Sequence, residues 1–256
     1  MSERRITIEC RDLSKSFGGV YAVKDVSAAF QSGTVTSVLI GPNGAGKTTL
    51  FHLMSGLLVP DSGEVLFHGN RINGLAAWKI ARMGLGRLFQ DIRVFRRLTA
   101  LENILVAFQN QAGETFWKAV IARPVILRQE REFTVEARRL LEFVGLAGME
   151  TTPAGALSYG QQKLLALARL LAQGAEVLLL DEPTAGVNPA MVRPLLELLR
   201  NLAHQGKTII VIEHNMSVVL DIADWVYFMD EGQIVAFGLP QEVLGDKWVG
   251  KAYLGL

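Results

Sequence analysis

The stretch GPNGAGKTT, residues 41–49, restricts what this chain can fold into more than any other. An apolar run, VTSVLI at residues 35–40, leads into it, and TLFHLMSGLL, with the spacing of a helix, leads out. Strand, glycine-rich turn and helix in that order form the context of a phosphate-binding loop. Gly41, Gly44 and Gly46 lack a Cβ, so the backbone there can take positive φ and turn its N–H groups inward. Those N–H groups and the positive end of the following helix make a cradle for a nucleotide's phosphates. Pro42, Asn43, Ala45 and Thr49 complete the cradle. Lys47 stands where its ammonium can reach the β- and γ-phosphates, and Thr48 can offer a hydroxyl to Mg²⁺. A chance lysine in a glycine-rich turn would not match every fixed position and both flanks.

The 256 residues are enough to bury one α/β core with an inserted subdomain. Half of them are hydrophobic, which suits a buried parallel sheet and an apolar partner surface. No apolar run reaches the length of a membrane span; residues 164–172 are broken by Arg169. The N-terminal MSERRITIEC has no apolar signal region, and the single cysteine, Cys10, allows no internal disulfide. Both favour the reducing cytoplasm. A net charge of +1 gives no support to nucleic acid as a partner.

Residues 6–10 and 23–30 read as short strands around a loop, SKSFGGVYA, that carries Phe17 and Tyr21. Either ring can stack on a base or pack into the core. PDSG at residues 60–63 is a turn, residues 64–67 are a strand, and His68 begins a second, solvated turn. Gln90 emerges from an apolar segment, GRLF, into a polar one. From Leu98 to about Ala172 the pattern becomes helical, with ALENILVAFQN, FWKAVIA and residues 130–144 as separate helices. Arg82, Arg87, Arg93, Arg96 and Arg97 give this insertion a basic entrance, read as a solvated face or a docking surface. Within LSYGQQ, Ser158 and Gln161 have the spacing of a capping box. A capped, glycine-bearing helix start is also an anion site, with Ser158 and the Gly160 N–H facing a phosphate.

EVLLLDEP is a buried strand, residues 177–180, ending in Asp181 and Glu182. Two adjacent acids are costly unless a metal or a proton compensates. With Mg²⁺ nearby, Asp181 fits as its ligand and Glu182 as the group that orients or deprotonates an attacking water. A helix begins at Pro189, and a further strand, from Thr208 to Ile212 or Glu213, ends at His214. Ligands of open α/β sheets bind beyond the carboxyl ends of the strands. If these strands are parallel, the phosphate loop, the acid pair and His214 converge on one nucleotide. WVYFMDEGQIVAFG reads as a hairpin turning at Glu231–Gly232, followed by two short helical pieces ending in AYLGL.

Taken together, these motifs resemble, end to end, the nucleotide-binding subunit of an ABC transporter. GPNGAGKTT resembles the phosphate loop, Gln90 the Q-loop, LSYGQ the signature, VLLLDE the Walker B strand and His214 the switch histidine. FGGVYAVKDVS, DEPTAGVNP, IEHNM and AYLGL are similar to the branched-chain amino acid importer group, whose relatives handle urea and short amides. The resemblance implies a phosphate-loop ATPase core with a mainly parallel sheet, an N-terminal antiparallel β subdomain and an inserted helical subdomain. It divides a single ATPase domain into a core, residues 1–92 and 173–256, and a helical part, residues 93–172.

It also implies ATP and Mg²⁺ as cofactors, with Thr48, Gln90 and Asp181 on the metal and Phe17, in preference to Tyr21, stacking on the base. Glu182, His214, Gln90 and Lys47 would serve hydrolysis. Two ATPase subunits, identical or paralogous, would meet head to tail, each closing the other's ATP with Ser158, Gly160 and Gln161. The implied partners are integral membrane permease subunits at the cytoplasmic face of the membrane and, indirectly, a solute-binding protein. A lipopolysaccharide-type exporter ATPase and a soluble non-transport ABC ATPase remain the alternatives. Two residues depart from the usual family pattern. Tyr159 stands where the signature usually has glycine, and Asn188 where the loop after Walker B usually has aspartate.

Overall fold

Three pentapeptides, TSVLI, VLLLD and TIIVI, are buried at every position. That pattern suits only strands covered on both faces. They are β3 (Thr36–Ile40), β7 (Val177–Asp181) and β8 (Thr208–Ile212) of the computed structural model, which describes residues 5–32, 36–110, 123–246 and 249–250. Residue 35, the segment FWKAVIA and the final AYLGL lie outside the described residues.

The chain opens with β1 (Ile6–Phe17) and β2 (Val20–Gln31), a long antiparallel hairpin. Here the structure corrects the short strands and intervening loop expected at SKSFGGVYA. Gly18 and Gly19, at φ 57° and 84°, make a two-residue turn of the kind that matches strand twist, so pairing runs on to Phe17↔Val20. After β3 come α1 (Lys47–Met54), β4 (Ser62–Phe67), β5 (Asn70–Arg71), α2 (Ala77–Arg82) and β6 (Leu85–Leu88). Strands β2, β1, β4 and β5 form a four-stranded antiparallel sheet. Beyond β6 lie α3 (Ala100–Leu105), α4 (Arg123–Phe143) and α5 (Tyr159–Ala172). The chain then passes through β7, α6 (Pro189–His204), β8, α7 (Met216–Ile222), β9 (Trp225–Asp230), β10 (Gln233–Gly238) and α8 (Pro240–Gly245). The second sheet has the order β10-β9-β3-β8-β7-β6, with every pairing parallel except the β10–β9 hairpin at one edge.

Two units emerge, residues 1–90, 176–185 and 193–256, and residues 91–175 and 186–192. The first contains both sheets. Its core joins Leu50, Phe51, Leu53 and Met54 of α1 to Ile8, Leu13, Val23, Phe30 and Phe67 of one sheet. On the other sheet it takes in Leu39, Leu179, Ile210 and Ile212. The phosphate-loop helix is thus packed between residues of two sheets. The second unit is helical. Its buried Asn103 accepts from the Phe95 amide and donates to the carbonyls of Phe95, Leu98 and Thr99, which pins the turn leading into α3. Among the described residues no helix is long and apolar enough to cross a membrane.

Candidate functional site

Parallel pairing of β3, β8, β7 and β6 brings four strand ends to one edge of the sheet. They deliver, in that order, the glycine-rich loop, Glu213–His214, Asp181–Glu182 and Gln90. The expected convergence of three strands is present, and β6 adds a fourth.

Two of the loop's glycines are required by what lies behind them. A Cβ on Gly41 (φ +147°) would lie 1.9 Å from the Met229 carbonyl oxygen, and one on Gly46 (φ +99°) 1.9 Å from that of Ala22. Strands β9 and β2 therefore close directly onto the loop. Gly46 is also the N-cap of α1 and supplies no side-chain hydrogen bond to it. Lys47 is only 5% exposed. Its Nζ donates to the carbonyls of Gly41 and Pro42 at 2.8 and 2.7 Å, across the loop it follows. Burial lowers its pKa, against the opposing pull of the Glu182 and Asp181 carboxylates. Pro42 and Thr49 are half-buried and Ala45 buried, while Asn43, Gly44 and Thr48 are exposed at the loop's outer side.

Asp181 ends β7 at 5% exposure, with Oδ2 3.3 Å from Nη2 of Arg87. Arg87 is not part of a solvated basic face. It lies within β6, buried between the rings of Phe51 and Phe89, and Nη1 donates to Ser55 Oγ. The signal was available in the sequence, because Arg87 stands inside the apolar run LGRLF. Glu182 follows at φ +47°, a strained conformation for a non-glycine residue that costs about 1–3 kcal/mol. Its amide donates to the Ile212 carbonyl, which fixes the turn. The carboxylate is held on both sides, by Gln90 Nε2 at 3.3 Å from Oε2 and by His214 Nε2 at 3.2 Å from Oε1. Glu213, which the sequence did not single out, is 3% exposed and accepts from Thr184 and from the amides of His214 and Asn215.

Phe17 and Tyr21 are both about half exposed, so neither packs into the core, and Lys15 Nζ lies 5.7 Å from the Phe17 ring centre. Asp61 secures that strand end by accepting from Lys15 Nζ at 2.6 Å and from the amide and hydroxyl of Ser16.

Ser158, Gly160 and Gln161 belong to the second unit. The capping box forms as expected. The Ser158 amide donates to Gln161 Oε1 at 2.9 Å, and the Gln161 amide to Ser158 Oγ at 3.3 Å. Gly160 is buried against Val187, 3.3 Å from where its Cβ would be. Tyr159 lies against Gly186, whose φ of +69° is one that side chains rarely adopt and whose Cβ would stand 3.0 Å from the tyrosine ring. Asn188 Oδ1 accepts from the Ala190 amide at 3.0 Å, capping α6.

This donor set fits a nucleotide with a hard divalent cation. The loop offers amides and an ammonium for phosphate. Thr48, Gln90 and Asp181 offer oxygens, the ligand type Mg²⁺ takes. Among the described residues no three His, Cys, Asp or Glu gather to hold an ion. A cation carried in by phosphates matches that arrangement.

The family model described as "ABC transporter" matches residues 23–185. The high-affinity branched-chain amino acid transport ATP-binding protein LivG of Salmonella typhimurium is 39% identical over 244 residues, covering 95% of each chain. The corresponding protein BraF of Pseudomonas aeruginosa is 38% identical over 252 residues, covering 98% of each. The lipopolysaccharide export system ATP-binding protein LptB of Acidithiobacillus ferridurans is 34% identical over 248 residues, covering 97% of this chain and 96% of its own. Among solved structures, the ADP conformation of an ATP-binding cassette of an ABC transporter superposes with a TM-score of 0.84 at 32% identity. It covers 98% of this chain and 100% of its own. With its loop, acid pair and histidine on one sheet edge, the chain belongs to the ABC transporter family, as an ATP-binding cassette.

Proposed function

We propose that this chain is the ATP-hydrolysing subunit of an importer that moves branched-chain amino acids, or related small solutes, across the cytoplasmic membrane. The observation that carries the hydrolytic part is the Glu182 carboxylate held between Gln90 and His214, beside the phosphate loop. The solute rests on LivG and BraF, which are more similar to this chain than LptB is.

Phe17 would stack on the base, and the loop amides of residues 41–49 with Lys47 would hold the phosphates. Mg²⁺, held by Thr48, Gln90 and Asp181, would supply charge neutralisation at the β- and γ-oxygens. Arg87 keeps one Asp181 oxygen occupied and so fixes the direction of the other. Glu182 orients the attacking water and accepts its proton, and His214 donates to the γ-phosphate. Ser158, Gly160 and Gln161 would complete the site of a second ATPase subunit, a copy or a paralogue, arranged head to tail. The subunit would sit peripherally at the cytoplasmic face, bound to integral membrane permeases and served by a solute-binding protein. The net charge of +1 favours no nucleic acid.

The test is uptake of radiolabelled leucine by cells with and without the gene, together with purification of the tagged protein from mildly solubilised membranes. Lost uptake and two co-purifying multi-span subunits support the reading. Normal uptake with a defective outer membrane would replace it with the exporter, and a ribosomal or soluble partner would remove transport altogether.

A further inference from the structure

Glu213 is a buried carboxylate that the hydrolytic scheme leaves without a task. Its two oxygens serve two different loops. Oε1 accepts from Thr184, from the amide at 3.3 Å and from the hydroxyl, in the loop after β7. Oε2 accepts from the amides of His214 at 3.1 Å and Asn215 at 3.5 Å, in the loop after β8. All four donors are neutral hydroxyl or amide groups. Because each oxygen serves a different loop, the carboxylate ties the two loops to each other directly.

The bridged loops carry the reacting pair. Glu182 precedes Thr184 by two residues, His214 follows Glu213, and Glu182 Oε1 meets His214 Nε2 at 3.2 Å. Glu182, Thr184, Glu213 and His214 therefore close a ring of side-chain and main-chain links. We infer that Glu213 is a positioning residue that sets the Glu182–His214 separation and makes the two loops move as one body. A displacement of the loop after β7 then reaches His214 through a carboxylate as well as through the sheet. This inference rests on the hydrolytic reading given above.

Glu213→Gln keeps the volume but turns an amide NH₂ toward donors that need an acceptor. ATP turnover by the full chain is expected to fall about tenfold, with KM changed by less than about twofold. In a His214→Ala background the same substitution should cost less than about twofold, since a residue acting through His214 has nothing left to position. Hydrogen exchange should quicken at the amides of Thr184, His214 and Asn215 together. Equal losses in both backgrounds, or unchanged exchange at those three amides, would overturn the inference. Should Glu213→Gln not fold, Thr184→Val removes one donor and is read in the same three ways. If the unmodified chain hydrolyses no ATP, or His214→Ala retains full turnover, the hydrolytic reading is what fails, and the three amides alone decide the bridge.

Discussion

Helices α1 and α5 both start in glycine-bearing polar segments, and they treat their first amides in opposite ways. The start of α1 has Gly46 as its cap and no capping side chain, with Lys47 beside it. The start of α5 closes a full box, in which Ser158 and Gln161 satisfy each other's amides. Glycine in place of a capping side chain costs only a few tenths of a kcal/mol, but it leaves the first amides of α1 without a side-chain acceptor, and a phosphate can supply one. An anion at α5 must instead compete with the Ser158–Gln161 exchange. The difference suits the tasks that the proposed function gives the two helix starts. The first would bind nucleotide within its own chain, and the second would be a stable surface for a nucleotide that another chain already holds.

The largest expected effect belongs beside the first site. Glu182→Gln should lower ATP turnover by about 10²–10⁴ in a steady-state assay while nucleotide affinity stays unchanged. Near-normal turnover would remove Glu182 as the base and leave the α1 site a binding site only. Lys47→Ala should weaken ATP binding by about ten- to a hundredfold in a fluorescence titration, because charge-assisted bonds to the phosphates are lost. Ser158→Ala should leave that titration unchanged while turnover falls severalfold. It should also cost about 1 kcal/mol of stability, seen as a melting temperature about 2–4 °C lower. Equal loss of binding in the Lys47 and Ser158 variants would erase the difference between the two helix starts.

The smallest effect lies outside both helices, at Asp61. Hydrogen bonds from Lys15 and Ser16 hold its pKa at about 2, below the ordinary 3.8. Its contribution to stability is therefore complete above pH 3.8 and is lost as pH falls through about 2. Asp61→Asn should lower stability at neutral pH slightly and flatten the acid limb in that window. An unchanged acid titration would mean that the Phe17 strand end is not anchored there.

Much of this was readable along the chain, where the physics is local. Apolar pentapeptides predicted covered strands, and a serine three residues before a glutamine predicted the box at α5. The hairpin at Phe17 is not legible locally because glycine pairs mark loops and tight turns alike; only the register of Ser16↔Tyr21 and Phe17↔Val20 decides. Local sequence groups Arg87 with the basic entrance, as a solvated face or a docking surface, because Asp181, its partner, lies 94 residues away. Glu213 passed unnoticed for the same reason, since Thr184 is 29 residues distant in sequence. The left-handed backbone of Glu182 follows from no local preference. It is imposed where β7 and β8 meet.

Light scattering of Glu182→Gln, with ATP in the presence of either Mg²⁺ or EDTA, tests the division of labour between α1 and α5 most directly. The account predicts a monomer in EDTA and a doubled mass with MgATP, reverting to the monomer when Ser158→Ala is added. A monomer under every condition, or a dimer indifferent to Ser158, would contradict it.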